Sequence, residues 1–213
     1  MSSTSPQGER PLRADARHNF DVILQVAREL FAEQGYEASI SEVGRRSGLG
    51  MGTIYRHFEN KTVLMERIAI SAMEETLAEV QQVLAGEPDS WGGFCHVMRH
   101  LVRNRSSQLR LRGRATTPGP ALGKIRGELL GALDDLVART QHAGLLRTDV
   151  NAVDIVLLLD SIPPNPPASD VDTAQRHLAV ILDGLRQPGR EVLVTPAPGP
   201  VEIDHYFHRT HGL

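Results

Sequence analysis

The sequence predicts an all-α protein in which a small head of three helices precedes a larger helical bundle. Apolar residues recur at intervals of three and four along most of the 213 residues, which is typical of helices with one buried face. Alternation of apolar and polar residues, which would indicate a strand, is limited to the short run 191–195. Clusters of glycine and proline separate the helical runs, and the sequence contains no internal repeat.

The head begins after an N-terminal arm, residues 1–13, which we expect to be disordered. This end of the chain is polar and lacks the apolar core of a secretory signal. A helix is predicted over 14–34, because its apolar residues follow helical spacing. Gly35 would end this helix in the position that glycine usually takes there.

Two short helices complete the head, residues 14–61. Ser39 and Glu42 fit a capping box, in which the Glu42 N–H donates to the Ser39 hydroxyl and the Glu42 carboxylate reaches back. The helix that they open should stop near Gly48. A glycine-containing turn follows, and a further short helix is predicted over 51–58.

The body, residues 62–187, reads as longer helices, and a Pro/Gly-rich tail follows over 188–213. Helices are predicted over 61–85, 90–105, 121–143, 151–161 and 169–186, with N-caps at Asn60, Ser90 and Asp149. The composition of the chain predicts loops at 113–120 and 163–167.

Composition excludes several classes of protein. The longest apolar run, 155–159, has five residues, whereas a membrane-spanning helix needs about 20. Cys95 is the only cysteine, so neither an internal disulfide nor a zinc site built on several cysteines can form. These features predict a cytoplasmic protein without a membrane partner.

The net charge of −3 hides a local asymmetry. Residues 39–61 carry four basic and two acidic side chains, and residues 90–127 carry eight basic side chains and no acid. From residue 128 onward, 12 acids stand against six bases. A chain sorted in this way can present a basic face to a polyanion although its total charge is negative.

The segment 39–61, SISEVGRRSGLGMGTIYRHFENK, has the helix-turn-helix layout of two short helices joined by a glycine-containing turn. The residues that helical spacing turns inward are apolar: Val43, Leu49, Ile54 and Phe58. The residues on the outside and flanks of the second helix are small, polar or aromatic: Gly52, Thr53, Arg56, Tyr55 and His57. Such a face can enter the major groove of DNA, although a helical hairpin with a merely solvated face has the same pattern.

This segment resembles the TetR family of bacterial transcriptional regulators. The resemblance extends upstream through residues 27–36 and covers about residues 17–76. It rests on the pattern G-x-x-x-G-T-[LI]-Y-x-H-F-x-x-K, which is matched by Gly48, Gly52, Thr53, Ile54, Tyr55, Arg56, His57, Phe58 and Lys61. The resemblance implies a homodimeric repressor that binds a double-stranded DNA operator and whose C-terminal helices bind a small-molecule effector.

The family pattern implies DNA contacts at Ser39, Ser41, Arg45, Gly50, Met51, Thr53, Tyr55, His57 and Lys61. Two positions depart from the pattern. Gly44 stands where alanine is usual and should loosen its helix by about 0.5–1 kcal/mol, and Gly50 offers only a backbone N–H. Base reading is then expected mainly from Arg45, Met51, Thr53 and Arg56.

The helix 90–105 supplies the candidates for effector binding: Trp91, Phe94, Met98, Arg99 and Arg103. Core packing explains its apolar residues equally, and a solvated or ion-paired face explains its arginines, which include Arg105. His96 and His100 are spaced as metal ligands, but no third ligand is in view, so no metal or other cofactor is predicted.

The resemblance also implies that the last two helices form a dimer interface, and the candidates for burial there and in the core are Ile155, Leu158, Leu178, Ile181, Leu182 and Leu185. In the tail, His205, His208 and His211 recur at every third residue, and a flexible or surface-docked tail explains them better than a metal-binding strand.

Two functional hypotheses follow. The first is a DNA-binding repressor controlled by an effector, and the alternative is a ligand-independent regulator whose body serves dimerisation or protein contacts. An enzyme is not predicted, because the sequence has no nucleophile–base pairing, HExxH or glycine-rich phosphate loop.

Overall fold

The computed structural model describes residues 9–86, 89–109, 119–162, 172–187, 193 and 195–199. Within these ranges the all-α prediction is confirmed, since β pairing is limited to a single bridge between Leu146 and Arg186. The helices are α1 Glu9–Gln34, α2 Ile40–Ser47, α3 Met51–His57, α4 Lys61–Ala85, α5 Ser90–Leu109, α6 Pro120–His142, α7 Ala152–Ser161 and α8 Thr173–Leu185. None of the helices in these ranges is long and apolar enough to cross a membrane.

Some predictions fall outside these ranges. They concern the arm before residue 9, the loop 113–118, the segment 163–167, most of the run 191–195 and the histidines of the tail, His205, His208 and His211. The described chain divides into two compact units, one ending at Ile68 and the other beginning at Ala69, so that the division falls within α4.

The first helix starts earlier than the sequence suggests. Because α1 begins at Glu9, the prediction of a disordered arm is wrong for residues 9–13. Pro11 lies in the first turn, where a missing N–H costs no hydrogen bond, and the residues after it are mostly good helix formers. At the other end, Gly35 has the predicted role and adopts a φ of +69°, which favours glycine.

The first unit buries apolar residues from each of its helices. Phe20 of α1 stacks on Phe58 with 5.2 Å between ring centroids. The side chains that are fully shielded from solvent are Ile23, Ala27, Leu30, Phe31, Val43, Ile54, Phe58 and Leu64. This packing positions α2 and α3 on a rigid support.

The predicted cap of α4 is confirmed, since the Val63 N–H donates to Asn60 Oδ1 at 3.0 Å. The predicted caps of two later helices are wrong by one or two residues. Asp89, not Ser90, accepts from the N–H of Gly92 at the start of α5. Asn151, not Asp149, caps α7, and α8 begins at Thr173 rather than at residue 169.

In the second unit, α5 packs against α6, α7 and α8. The largest buried side chains of this core are Phe94, Met98, Leu136, Leu146 and Ile155. Cys95 belongs to the same core and is 6% exposed. Burial raises the pKa of the Cys95 thiol, so this side chain is uncharged at neutral pH.

Part of the tail is docked on this unit. The N–H of Leu193 donates to Asp149 Oδ2 at 3.1 Å, and Asn151 Nδ2 donates to the carbonyl of Pro198 at 2.7 Å. The same asparagine caps α7, so the tail segment and the start of α7 share one side chain. Leu193 and Pro198 of the tail therefore contact the second unit.

Candidate nucleic-acid interface

Two glycines, Gly48 and Gly50, determine the turn between α2 and α3. Gly48 ends α2 in the left-handed conformation, with φ +69°, which a larger side chain would strain. Gly50 then caps α3 through its backbone carbonyl, which accepts from the N–H groups of Thr53 at 2.8 Å and Ile54 at 3.3 Å. The two short helices are thereby joined as the motif predicts.

The predicted inward residues of the motif are buried or half-buried, and most of its predicted outward residues are exposed. Val43, Ile54 and Phe58 are fully buried, and Leu49 is half-buried. On the other side, Gly50, Gly52 and Arg56 are exposed, and Tyr55 keeps 53% of its surface exposed. The tyrosine side chain ends in a hydroxyl group, and its exposure makes this group accessible to a phosphate.

The predicted contact residues fall into two groups. Ser39, Ser41, Gly50, Arg45, Tyr55 and Arg56 are exposed, whereas Met51, Thr53, His57 and Lys61 are half-buried. The hydroxyls of Ser39 and Ser41 lie 2.8 Å apart and hydrogen-bond each other at the start of α2. The exposed set lies on α2, on α3 and at the N-caps of these two helices.

Glu42 organises the arginines of α2. Its carboxylate accepts from Arg45 at 2.6 and 2.8 Å and from Arg46 at 3.2 Å. Arg46 also reaches Glu33 of α1 at 2.7 Å. The predicted capping box is therefore half correct: Ser39 accepts from the Glu42 N–H, but the carboxylate pairs with the arginines instead of reaching back. The hydrogen bond from Arg45 lowers the pKa of Glu42 to about 2.

His57 has a more constrained position than the sequence suggests. Its ring meets Phe20 edge-on, with 6.0 Å between centroids. Nε2 is buried and has no hydrogen-bond partner among the described residues. That nitrogen cannot meet a phosphate while the ring is packed in this way, so a DNA contact of His57 would have to use other atoms of the residue.

Lys61 opens α4, and its ammonium group lies 5.6 Å from the centroid of the Phe31 ring. Partial burial lowers the pKa of Lys61, and the charge of Glu37 opposes this shift. Lys61 lies at the start of a helix, so its positive charge and the positive end of the helix dipole would both attract an anion. The adjacent aromatic ring also stabilises the ammonium group.

The predicted effector residues lie in different environments on α5. Phe94 and Met98 are buried in the core of the second unit, whereas Arg99 and Arg103 are exposed on the same helix. Trp91 stacks on Phe94 with 5.6 Å between centroids and is covered by the Arg186 guanidinium at 5.3 Å. The apolar members of the set therefore fill the core, which is the alternative that the sequence left open.

Four predicted dimer residues are buried inside the single chain. Ile155, Leu178, Leu182 and Leu185 belong to the core of the second unit, so they are unavailable to a partner. Leu158 is 39% exposed and Ile181 is half-buried. Val180, which was not predicted, is 73% exposed. The sequence could have predicted its exposure, because Val180 is two residues from both Leu178 and Leu182, and this spacing places it on the opposite side of α8.

A polar cluster between α4 and α5 was also missed. His100 Nε2 lies 2.8 Å from Asn104 Nδ2 and 3.4 Å from Thr76 Oγ1, and His96 pairs with Glu79. Burial lowers the pKa of His100; Arg103 and His96 lower it further, and Glu79 and Glu75 oppose them. These histidines are thus held by α4 and by Asn104, and no group of three or more metal ligands occurs in the part of the chain that the structure describes.

Two family models match the chain. One is described as bacterial regulatory proteins, tetR family, and matches residues 23–68. The other is described as transcriptional regulator SbtR-like, C-terminal domain, and matches residues 94–187. The first match covers α2 and α3, and the second covers most of the second unit.

Solved structures with the same fold include relatives in sequence. A TetR transcription regulatory protein of Mycobacterium vanbaalenii is 32% identical, with a TM-score of 0.64 over 83% of this chain and 99% of that one. A TetR transcriptional regulator of Streptomyces coelicolor is 27% identical, with a TM-score of 0.62 over 78% of this chain and 97% of that one.

Curated relatives match over a shorter range. An HTH-type transcriptional regulator of Staphylococcus aureus (strain MRSA252) is 36% identical over 88 residues, which are 40% of this chain and 45% of that protein. An uncharacterized HTH-type transcriptional regulator of Bacillus subtilis is 36% identical over 73 residues, 34% of this chain and 38% of that protein. The chain thus spans less than half the length of these two relatives.

Proposed function

This chain belongs to the TetR family of bacterial transcriptional regulators, and from that premise we propose that it is a homodimeric repressor released from a palindromic operator by a small-molecule effector. The observation that carries the proposal is the polar outer surface of α2 and α3, held on a buried apolar support. A rigid short helix with such a face can lie in the major groove. A regulator of this kind would act in the cytoplasm and needs no catalytic residues.

We assign the predicted contact residues other than Met51 to two roles. Arg45, Thr53 and Arg56 would read base edges, because arginine pairs with guanine and the threonine methyl meets thymine. Ser39, Ser41, Gly50, Tyr55, His57 and Lys61 would contact the backbone and fix the register of α3.

Dimerisation would use the exposed apolar side chains of α7 and α8, Leu158 and Val180. A twofold axis through this surface would present two copies of α3, and a palindromic site would then have half-sites about one helical turn apart.

Effector control would require a ligand that binds one conformation better than the other, since equal affinity shifts no equilibrium. The burial of Phe94 and Met98 in the core favours the second candidate, a regulator whose second unit serves dimerisation or protein contacts without a ligand. Binding of effector to the protein and release of DNA by the same compound would separate the two.

Selection of DNA from a random pool by the purified protein tests the proposal. We expect a palindrome with half-sites about 10 base pairs apart, and a pool without enrichment would contradict operator binding. In the selected site, Lys61→Ala should lower the slope of log K against log salt by about one unit, because one phosphate contact is lost. Tyr55→Phe should weaken binding by removing a hydrogen bond to a phosphate.

Lys124→Ala provides the matched control. Lys124 lies on α6, its side chain is 78% exposed, and it pairs with Glu128 at 3.6 Å. The substitution removes the same charge from the chain but none from the proposed surface, so the salt slope should keep its wild-type value. An equal change in both variants would mean that Lys61 acts only through net charge.

A further inference from the structure

Gly44 lies in α2 beside side chains of α3. It is buried, and a Cβ built on it would lie 2.9 Å from Met51 Sδ and 3.2 Å from Ile54 Cδ1. Both distances are shorter than ordinary contacts between such atoms. The space that a side chain would need at Gly44 is therefore filled by two side chains of α3.

Met51 is the first residue of α3, and it is half-buried. Gly50 caps this helix without a side-chain hydrogen bond, so no side-chain cap fixes the first turn of α3. The thioether of methionine is flexible and adapts to irregular spaces. Its sulfur enters the gap at Gly44 and thereby links the beginning of α3 to the middle of α2.

We propose that Gly44 and Met51 form an interlocking pair that sets the position of α3 on α2, and that Met51 is a positioning residue and not a reader of bases. The inference rests on the proposed function. It changes the expectation from the sequence in two ways. Gly44 does not merely loosen α2, because its missing side chain makes room for Met51, and base reading is left to Arg45, Thr53 and Arg56.

DNA selection with Met51→Ala distinguishes positioning from reading. A positioning residue affects the whole of α3, so operator affinity should fall by about tenfold while the selected sequence stays the same at every base pair. Met51→Leu, which keeps the volume, should remain within about threefold of the wild type. Relaxed preference at a single base pair of each half-site in Met51→Ala would identify a base reader and overturn the proposal.

A double-mutant cycle in thermal unfolding tests the packing without DNA. Gly44→Ala in the wild type displaces the Met51 sulfur, whereas in a Met51→Ala background the added methyl group meets the Ile54 side chain but no longer the Met51 thioether; the contact with Ile54 is common to both backgrounds. The gain in helix propensity is the same in both backgrounds and cancels in the cycle. We expect Gly44→Ala to be more favourable in the Met51→Ala background by about 2–4 °C in Tm.

Gly52→Ala is the control for this cycle, because a Cβ at Gly52 would have no neighbour within 4 Å. Its effect on Tm should be the same with and without Met51. Additive effects of Gly44→Ala and Met51→Ala would overturn the pair itself. If the wild type selects no DNA sequence, the proposed function fails and the role of Met51 in recognition fails with it, while the cycle still decides whether the two residues interlock.

Discussion

At the scale of single residues, the central feature of the proposed DNA-binding surface is an acidic residue. Glu42 holds Arg45 by two hydrogen bonds and Arg46 by a third, and Arg46 extends the chain of ion pairs to Glu33 on α1. The carboxylate fixes the arginines before any DNA is present, so less side-chain entropy is lost on binding. Arg45 nevertheless keeps 72% of its side-chain surface exposed, which leaves it accessible to a base edge.

The pKa of Glu42 reports on this arrangement. Arg45 is the largest cause of its shift from 4.5 to about 2, so Arg45→Ala should return the pKa most of the way toward 4.5. Arg46→Ala should raise it by a smaller amount, because Arg46 makes the longer hydrogen bond. An NMR titration of the side-chain carboxyl carbons measures both. Equal shifts in the two variants would contradict the dominance of Arg45.

The sign of the linked stability follows from the lowered pKa. Since the folded-state value of about 2 lies below the ordinary 4.5, the contribution of Glu42 is fully present above about pH 4.5 and is lost as the pH falls toward 2. Glu42→Gln should flatten this part of the acid limb of a pH–stability curve. A curve of unchanged shape would mean that the carboxylate is not paired in solution.

At the scale of elements, the long helices are predictable from the sequence, but not all of their capping residues are. The bounds of α4 and its cap Asn60 follow from local spacing and are confirmed. The caps of α5 and α7 are misjudged because Ser90 and Asp149 are as good cap formers as the residues that take this role, Asp89 and Asn151. Asp149 is engaged instead by Arg147 and by the N–H of Leu193, a contact between distant parts of the chain that local sequence does not reveal.

The end of α4 depends on another distant contact. Arg139 of α6 donates to the carbonyl oxygens of Val83 at 3.2 Å, Leu84 at 2.8 Å and Gly86 at 3.1 Å. These carbonyls lie at a helix C-terminus, where the backbone lacks partners of its own. A guanidinium with several donors suits this task better than an ammonium group, which has a single nitrogen.

Arg139→Ala should therefore destabilise the protein by about 2 kcal/mol, the scale of hydrogen bonds to a charged donor. This corresponds to a fall in Tm of about 4–8 °C. Arg139→Lys should recover less than half of the loss. Lys124→Ala, which breaks only an exposed ion pair, should change stability by less than about 0.5 kcal/mol. If Arg139→Ala lowers Tm no more than Lys124→Ala does, water replaces Arg139 as the hydrogen-bond donor to these carbonyls.

At the scale of the whole molecule, the sequence identifies the apolar stripes of α7 and α8 but not what each stripe meets. Leu178, Leu182 and Leu185 are spaced as one helical face, and that face covers the core of the same chain. The exposed apolar surface of these helices includes Val180 and Leu158 instead. Periodicity shows that a face is buried, but the partner is decided by packing between elements far apart in the sequence.

Val180→Glu tests the proposed dimer surface. An unpaired charge buried at an interface should weaken dimerisation by about 100-fold or more, and operator affinity should fall with it because two half-sites can no longer be bound together. Light scattering at several concentrations measures the assembly. Leu193→Glu is the control, since Leu193 is an apolar side chain, 45% exposed, on the docked tail segment. If Val180→Glu remains dimeric, the dimer interface does not include Val180.

The single thiol has a practical consequence. Because Cys95 is buried and its pKa is raised, labelling reagents that require a thiolate should leave it untouched. Glu59→Cys, at an exposed position just after α3, would then carry the one reactive handle of each subunit. The distance between two spin labels attached there would report the separation of the two copies of α3. In the proposed twofold assembly on DNA, we expect this separation to be about 34 Å.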